Sequence, residues 1–264
     1  KDVALVFLNN AELKHGYNGN FSLFSITGGS QLTLNGAAYN SQQNGRLANV
    51  EAGELTIDSG TYSGNKNQSG DAAVVYVSKD GTLKINGGTF DRNTSMATEN
   101  ATGGAVIHSS GKVTVNGGTF DGNSTGTNQN SNLSYHGGGV IWSDGTLVVN
   151  NGSFANNTSN AVHYSNAYRS PTGGGAIWAS NHLVINGGTF QSNWQMDNTT
   201  LYATGGGAIY FGDGTNPGTM VINGGKFDGN RSMQDGGAIF MAWHSNAVFQ
   251  QGTFTDNWSN RLGG

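Results

Sequence analysis

The chain has 264 residues, of which 44 are glycine, two are proline and none is cysteine. Only 11% of the residues are charged and the formal net charge is −4, which argues against a basic nucleic-acid-binding surface. The absence of cysteine excludes disulfide bonds and cysteine-based metal sites.

The chain begins with a segment of weak periodicity. We expect residues 1–30 to form an irregular N-terminal rung or cap, and residues 31–264 to form one continuous domain of repeats. The apolar stretch 3–8 is far shorter than the ~20 residues that a membrane-spanning helix needs, so no membrane span is predicted. It also has neither the basic flank nor the cleavage site of an intact signal peptide.

From residue 62 onward, an aromatic residue is followed three positions later by asparagine seven times. Successive aromatic residues are 27 to 37 positions apart, and self-similarity at this period is typical of a solenoid. Each occurrence follows a short apolar strand pattern and a turn that contains glycine. The pairs are Tyr62–Asn65, Phe90–Asn93, Phe120–Asn123, Phe154–Asn157, Phe190–Asn193, Phe227–Asn230 and Phe254–Asn257.

Residues 82–111 show how one repeat is organised. Leu83 and Ile85 alternate with polar neighbours, which indicates a half-buried strand. Gly87 and Gly88 predict a corner, and the segments 89–90 and 104–108 predict a second and a third strand. Three short strands per rung, each stacked parallel on its counterpart, define a β-helix. The predicted fold is therefore all-β: a single-stranded, right-handed parallel β-helix of about eight rungs.

Two columns of repeated residues are predicted to form the structural core. The aromatic column should fill an inside corner, where each large side chain contributes ~1.5–3 kcal/mol by burial. The asparagines should hydrogen-bond the turn and one another along the stack, so we interpret them as structural and not as a binding stripe. The core residues predicted in this way are Phe90, Phe120, Phe154, Phe190, Phe227, Phe254, Asn93, Asn123, Asn193 and Asn230.

The Phe-x-x-Asn motif alternates with a second motif, Gly-Gly-Ala-(Ile/Val), at 103–106, 174–177, 206–209 and 236–239. This alternation resembles the repeats of the chlamydial polymorphic membrane proteins and related adhesin-like passengers. The resemblance covers residues 54–257 and implies a right-handed β-helix displayed on a cell surface and working in adhesion. The chain departs from that family in having no cysteine and no C-terminal membrane barrel after the repeats.

Variable segments between the two motifs are the predicted place for function, because insertions in solenoids map to one face that often binds ligands. The longest segments, 124–136, 158–172 and 194–204, come from consecutive repeats and are rich in side chains typical of binding hot spots. Alternatively, these loops fold down as a lid over the third strands. The candidate ligand-binding residues are Tyr135, His136, His163, Tyr164, Tyr168, Arg169, Trp194 and Tyr202.

A lid is considered because the third strand contains two adjacent columns of apolar residues. Strand alternation should turn one of them outward. An exposed apolar ladder of several rungs needs a cover from loops, a partner or a ligand. The outward column is predicted to contain Val75, Ile107, Ile141, Trp178, Tyr210 and Phe240, with Trp178, Tyr210 and Phe240 as its large exposed side chains.

No catalytic residues, metal site or cofactor are predicted. Asp91 and Asp121 should lie on neighbouring rungs, but two carboxylates are too few for the 6–8 oxygen ligands of a good calcium site. The favoured hypothesis is a non-catalytic extracellular or cell-surface adhesin or structural rod that binds a glycan or protein on another surface. One alternative is a fibre subunit that joins copies of itself end to end, and a second is a polysaccharide-active lyase or hydrolase.

Overall fold

A computed structural model describes residues 4–8, 11–14, 21–41, 45–68, 71–97, 101–127, 135–160, 171–196 and 204–263. Every regular element in these ranges is a β-strand. This part of the chain therefore has no helix long and apolar enough to cross a membrane. The strands form five parallel sheets, which we name A to E, and strands from successive repeats are neighbours in each sheet. The architecture is all-β and consistent with a parallel β-solenoid.

Sheets A and B each contain nine strands. The strands of sheet A are Ala4–Leu8, Gln31–Asn35, Glu54–Ile57, Thr82–Ile85, Lys112–Val115, Thr146–Val149, His182–Ile185, Gly218–Ile222 and Ser245–Phe249. The strands of sheet B are Glu12–Leu13, Ala37–Tyr39, Gly60–Ser63, Thr89–Asp91, Thr119–Asp121, Ser153–Ala155, Thr189–Gln191, Lys226–Asp228 and Thr253–Thr255.

The other three sheets are shorter. The strands of sheet C are Ser22–Ile26, Arg46–Val50, Val75–Val77, Ile107–Ser109, Ile141–Ser143, Ile177–Ala179, Ile209–Phe211 and Ile239–Met241. Sheet D consists of Lys66–Asn67, Thr94–Ala97, Ser124–Thr127, Thr158–Asn160, Trp194–Gln195, Arg231–Ser232 and Trp258–Ser259. Sheet E consists of Ala101–Gly104, Tyr135–Gly138, Pro171–Gly174 and Thr204–Gly206.

The middle repeats thus contribute five strands each, in the chain order A, B, D, E, C, whereas the sequence predicted three. The two additional strands flank the variable segment, where serine, threonine and glycine carry no hydrophobic alternation. Sheets A and B also contain nine strands and not about eight, because strand Ala4–Leu8 pairs with Gln31–Asn35 and Glu12–Leu13 pairs with Ala37–Tyr39.

The aromatic column of sheet B fills the corner next to sheet A. Phe90 pairs with Phe120 in register, and Phe120 pairs with Phe154. Their rings stack face to face, with centroids 4.7 and 4.6 Å apart. The five rings from Phe90 to Phe227 have no exposed surface, whereas Phe254, on which no further described repeat stacks, is 43% exposed.

The asparagine column beside it is buried and saturated with hydrogen bonds. The side-chain amide of Asn123 donates to the carbonyl of Phe90 (2.9 Å) and to Oδ1 of Asn157 (3.0 Å). The backbone N–H of Asn123 donates to the same Oδ1 (3.0 Å). The pattern repeats from Asn93 to Asn230, so these polar groups stabilise the stack without an unmet desolvation cost.

Sheets D and E are held together by buried polar side chains. The inward column of sheet D is polar, and the Ser159 hydroxyl donates to the carbonyl of Gly137 (3.0 Å) and the Ser232 hydroxyl to that of Gly205 (3.0 Å). Sheet E in turn lies against sheet C. A Cβ added to Gly138 would come within 2.6 Å of the Trp178 amide nitrogen, which explains why glycine occupies this position.

Candidate ligand-binding site

Sheet D presents one column of side chains to the outside. Because side chains alternate along a strand, the residues that precede the buried Ser159, Gln195 and Ser232 point away from sheet E. The register places these residues on consecutive strands. In order along the sheet, they are Lys66, Thr94, Ser124, Thr158, Trp194, Arg231 and Trp258.

The character of this outward column changes along its length. It is short and polar at Thr94, Ser124 and Thr158, and then becomes large and partly apolar. Trp194 is 37% exposed and Trp258 is 48% exposed, and Arg231 lies between them in register with both. We call these three residues the Trp-Arg-Trp column.

A second outward column adds apolar surface next to it. Met196 follows Gln195 and is 36% exposed, and its backbone is in register with Met233, which is half-buried. Tryptophan, methionine and arginine are among the residues enriched at binding interfaces. Within the described residues, neither Trp194 nor Trp258 has a ring contact with another aromatic side chain. Both indoles therefore expose surface that is not stacked on another aromatic ring.

Of the eight residues predicted to bind a ligand, Trp194 is the one whose side chain the structure describes. Tyr135 and His136 form backbone pairs with Ala101 and Thr102 in sheet E, but their side chains lie outside the described part. His163, Tyr164, Tyr168, Arg169 and Tyr202 also lie outside the described residues. The continuous patch expected from these loops therefore stays a prediction.

The prediction of an exposed ladder at Trp178, Tyr210 and Phe240 is wrong for its first two members. Trp178 is 5% exposed and Tyr210 is 2% exposed, and Phe240 is half-buried. These rings form a small cluster of their own, separate from the main core. The physical reason is sheet E, which lies against this side of sheet C and removes the ladder from solvent.

The register of this ladder also differs from the prediction. Ile107 and Ile141 align with Ile177 and Ile209, and both they and the preceding residues are buried. A bend between sheets E and C interrupts strict alternation, so two adjacent side chains point inward. The outer ladder, as we call it, contains Tyr76, His108, Trp142, Trp178, Tyr210 and Phe240.

The two aspartates considered for a cation site are engaged in surface pairs. Asp91 and Asp121 are neighbours in register, as expected, but Asp91 pairs with Arg92 (2.7 Å) and Asp121 accepts a hydrogen bond from Asn156 (2.8 Å). Across the described residues, no group of three or more histidine and acidic side chains could hold a metal ion.

Arg231 and Trp258 were not singled out from the sequence. A signal exists, because Asn-Trp follows the aromatic motif twice, at 190–194 and at 254–258. The residue directly after the motif is always the first residue of a sheet D strand. Recognising sheet D would have aligned Trp194, Arg231 and Trp258.

Comparison of the chain with protein-family models, curated proteins and solved structures found no match.

Proposed function

We propose that the protein is a rod wound as a single right-handed parallel β-helix that works outside the cell as a non-catalytic adhesin. The ligand is a glycan on another surface, bound at the Trp-Arg-Trp column. Parallel strands joined by crossovers are right-handed in nearly all known cases, which supports the handedness. The resemblance of the Phe-x-x-Asn and Gly-Gly-Ala repeats to polymorphic membrane proteins supports display on a cell surface.

The observation that carries this proposal is the pair of exposed indoles on a rigid sheet. The strands of Trp194 and Trp258 are separated by the strand of Arg231, so the two tryptophans are about 10 Å apart, or two strand spacings. That separation is comparable with the length of a disaccharide. Flat indole rings suit the apolar faces of sugar rings, and the sheet holds both rings in place before the ligand arrives, which lowers the entropic cost of binding.

The fate of the recurring polar residues supports a non-catalytic rod. The buried asparagines use their amide groups within the stack. A second asparagine column, at the corner between sheets A and B, also bonds along its own length, for example from Asn116 to Asn86 and from Asn150 to Asn116. The amide groups of these repeated asparagines thus hydrogen-bond one repeat to the next.

A glycan array and an adhesion assay to glycan-coated surfaces test this proposal. We expect the double variant Trp194→Ala/Trp258→Ala to lose at least about tenfold in affinity, because exposed aromatic anchors dominate such interfaces. The matched control is Thr94→Ala/Thr158→Ala, which changes the same column where it is small and polar. Equal binding by the wild type and by both double variants, all folded by circular dichroism, would exclude this face.

A fibre subunit is the second candidate, because large exposed apolar side chains concentrate in the last described repeat. Val248, Phe249 and Phe254 are each about half exposed, and the two phenylalanines line an open recess of about 440 Å³. Exposed apolar surface of this kind suits contact with another copy of the chain. Negative-stain microscopy of the purified chain separates the candidates: single rods oppose the fibre, and filaments support it.

A further inference from the structure

We infer that the glycan bound at the Trp-Arg-Trp column carries a carboxylate, and that Arg231 binds this group. The inference rests on the proposed function and names the chemical class of its ligand. Its basis is the charge of Arg231, the surroundings of its side chain and its position between two sugar-stacking rings.

Arg231 differs from the other arginines that the structure describes. Arg46 pairs with Asp71 (2.9 Å), Arg92 with Asp91 (2.7 Å) and Arg261 with Asp235 (3.6 Å). Within the described residues, Arg231 has neither an ion pair nor a side-chain hydrogen bond. It is exposed, so its positive charge and its five N–H donors are available to a ligand.

The acidic residue nearest to Arg231 along the chain is Asp228, and its carboxylate is bound by other side chains. Asp228 accepts hydrogen bonds from the Lys226 ammonium (2.8 Å) and from the Thr255 hydroxyl (2.8 Å). These bonds, that of Lys226 first, hold the pKa of the Asp228 carboxyl below its usual range. Asp228 lies in sheet B, before the buried Asn230, whereas Arg231 lies on the outer face of sheet D.

The neighbours of Arg231 strengthen an interaction with an anion. In the column, its neighbours are the two indoles, and the next outward residue of its own chain segment is Met233. Apolar flanks reduce the local dielectric screening of a charge pair once a ligand covers them. The planar guanidinium matches a planar carboxylate with two parallel hydrogen bonds, a geometry that lysine cannot provide.

The order of the three side chains, with a cation between two indoles, indicates the chemical features of the ligand. A neutral glycan would need only the two rings, and a cation between them would then be left without a partner under the bound sugar. A glycan with a uronic acid or another carboxylated sugar between two stacked sugars satisfies all three side chains. An acidic peptide would supply carboxylates but not the flat apolar faces that the two indoles offer.

Titration calorimetry with defined oligosaccharides tests the inference. The carboxylated probes are a hyaluronan octasaccharide and an oligogalacturonate, and each is compared with its form in which the carboxyl groups are reduced to alcohols. We expect the wild type to bind at least one carboxylated probe about tenfold more tightly than its reduced form. We also expect added salt to weaken that preference, since the charge pair is partly exposed.

Three single variants assign the effect to the guanidinium. Arg231→Gln should lower the affinity for the carboxylated probe to that for the reduced probe and leave the latter unchanged. Arg231→Lys should recover only part of the preference. The matched control Lys66→Gln removes an exposed charge from the far end of the same column and should change neither affinity.

The outcomes separate this inference from the proposed function. If the Trp194→Ala/Trp258→Ala variant loses all glycan binding but Arg231→Gln keeps the wild-type preference, the inference is wrong and the proposed function stands. Tighter binding to a sulfated carrageenan oligosaccharide, or to a poly-glutamate peptide, than to both carboxylated probes also overturns it. So does the absence of measurable binding to both carboxylated probes. If the tryptophan variant changes no binding at all, the proposed function fails as well.

Discussion

The molecule contains two stacks of aromatic rings that share one strand spacing but differ in regularity. Between Phe90 and Phe254, neighbouring ring centroids in the inner column are 4.6–4.8 Å apart and the ring planes agree within 8°. In the outer ladder, the distances range from 4.3 to 6.1 Å and the tilts reach 32°. The inner column repeats one residue type, whereas the outer ladder mixes tyrosine, histidine, tryptophan and phenylalanine.

The surroundings explain this difference. The inner rings lie in a corner enclosed by the asparagine column and the apolar side chains of sheet A, so the space has one size in every repeat. The outer ladder lies beside sheet E and near the variable segments, whose length changes from repeat to repeat. A space of constant size therefore specifies the residue, whereas a space whose surroundings vary between repeats specifies only that a ring is present.

The largest loss of stability on substitution is expected in the inner column. Phe120→Ala should lower the free energy of unfolding by about 3–5 kcal/mol, since the stacked rings above and below cannot move far to fill the cavity. Urea denaturation followed by circular dichroism measures this. Thr119→Ala, at the exposed neighbouring position, serves as the control and should change stability little. A cost for Phe120→Ala near that of the control would mean that the column can collapse around the cavity.

The inner column and the outer ladder also differ in how well the sequence predicts them. The inner column could be predicted because phenylalanine and asparagine recur with a fixed separation of three. The outer ladder was assigned to the wrong register, because Gly-Gly-Ala-Val at 103–106 and Gly-Gly-Ala-Ile at 174–177 look alike but are offset by one position. Ile177 pairs with Ile141, which pairs with Ile107, and not with the position of Val106 and Val140. Sheets D and E were missed because hydroxyl and glycine residues form them without hydrophobic alternation. Arg231 stands alone in its column, so no repetition marked it.

A smaller effect is expected in the outer ladder from Trp178→Phe. The indole N–H of Trp178 is buried and has no hydrogen-bond acceptor within the described residues. Phenylalanine keeps a ring in the stack and removes this unmet donor, so the lost packing and the removed desolvation cost oppose each other. We expect a change in the free energy of unfolding within about 1 kcal/mol, measured by urea denaturation. Trp178→Ala is the reference, and a phenylalanine variant as unstable as the alanine variant would show that the lost packing outweighs the removed desolvation cost.

The smallest expected effect comes from the one histidine of the outer ladder. His108 stacks between Tyr76 and Trp142, with ring centroids 4.9 and 4.3 Å away, and its Nδ1 lies 3.0 Å from the carbonyl of Thr102. Burial lowers the pKa of the imidazole. Asp71, the Thr102 carbonyl and Asp144 oppose this shift, and Arg46 adds to it.

The sign of the resulting pH dependence follows from proton linkage. Because the folded-state pKa of His108 lies below the unfolded value of about 6.5, the unfolded chain binds this proton more readily. Its contribution to stability is therefore complete above pH ~6.5 and is lost as the pH falls through the lower folded-state value. His108→Phe keeps a ring in the ladder and removes the titration. Urea midpoints measured at pH 7.5 and at pH 5 should differ more for the wild type than for this variant. An equal or smaller difference in the wild type would mean that protonation of the ladder carries no cost, and that the outer stack accommodates a cation as readily as a neutral ring.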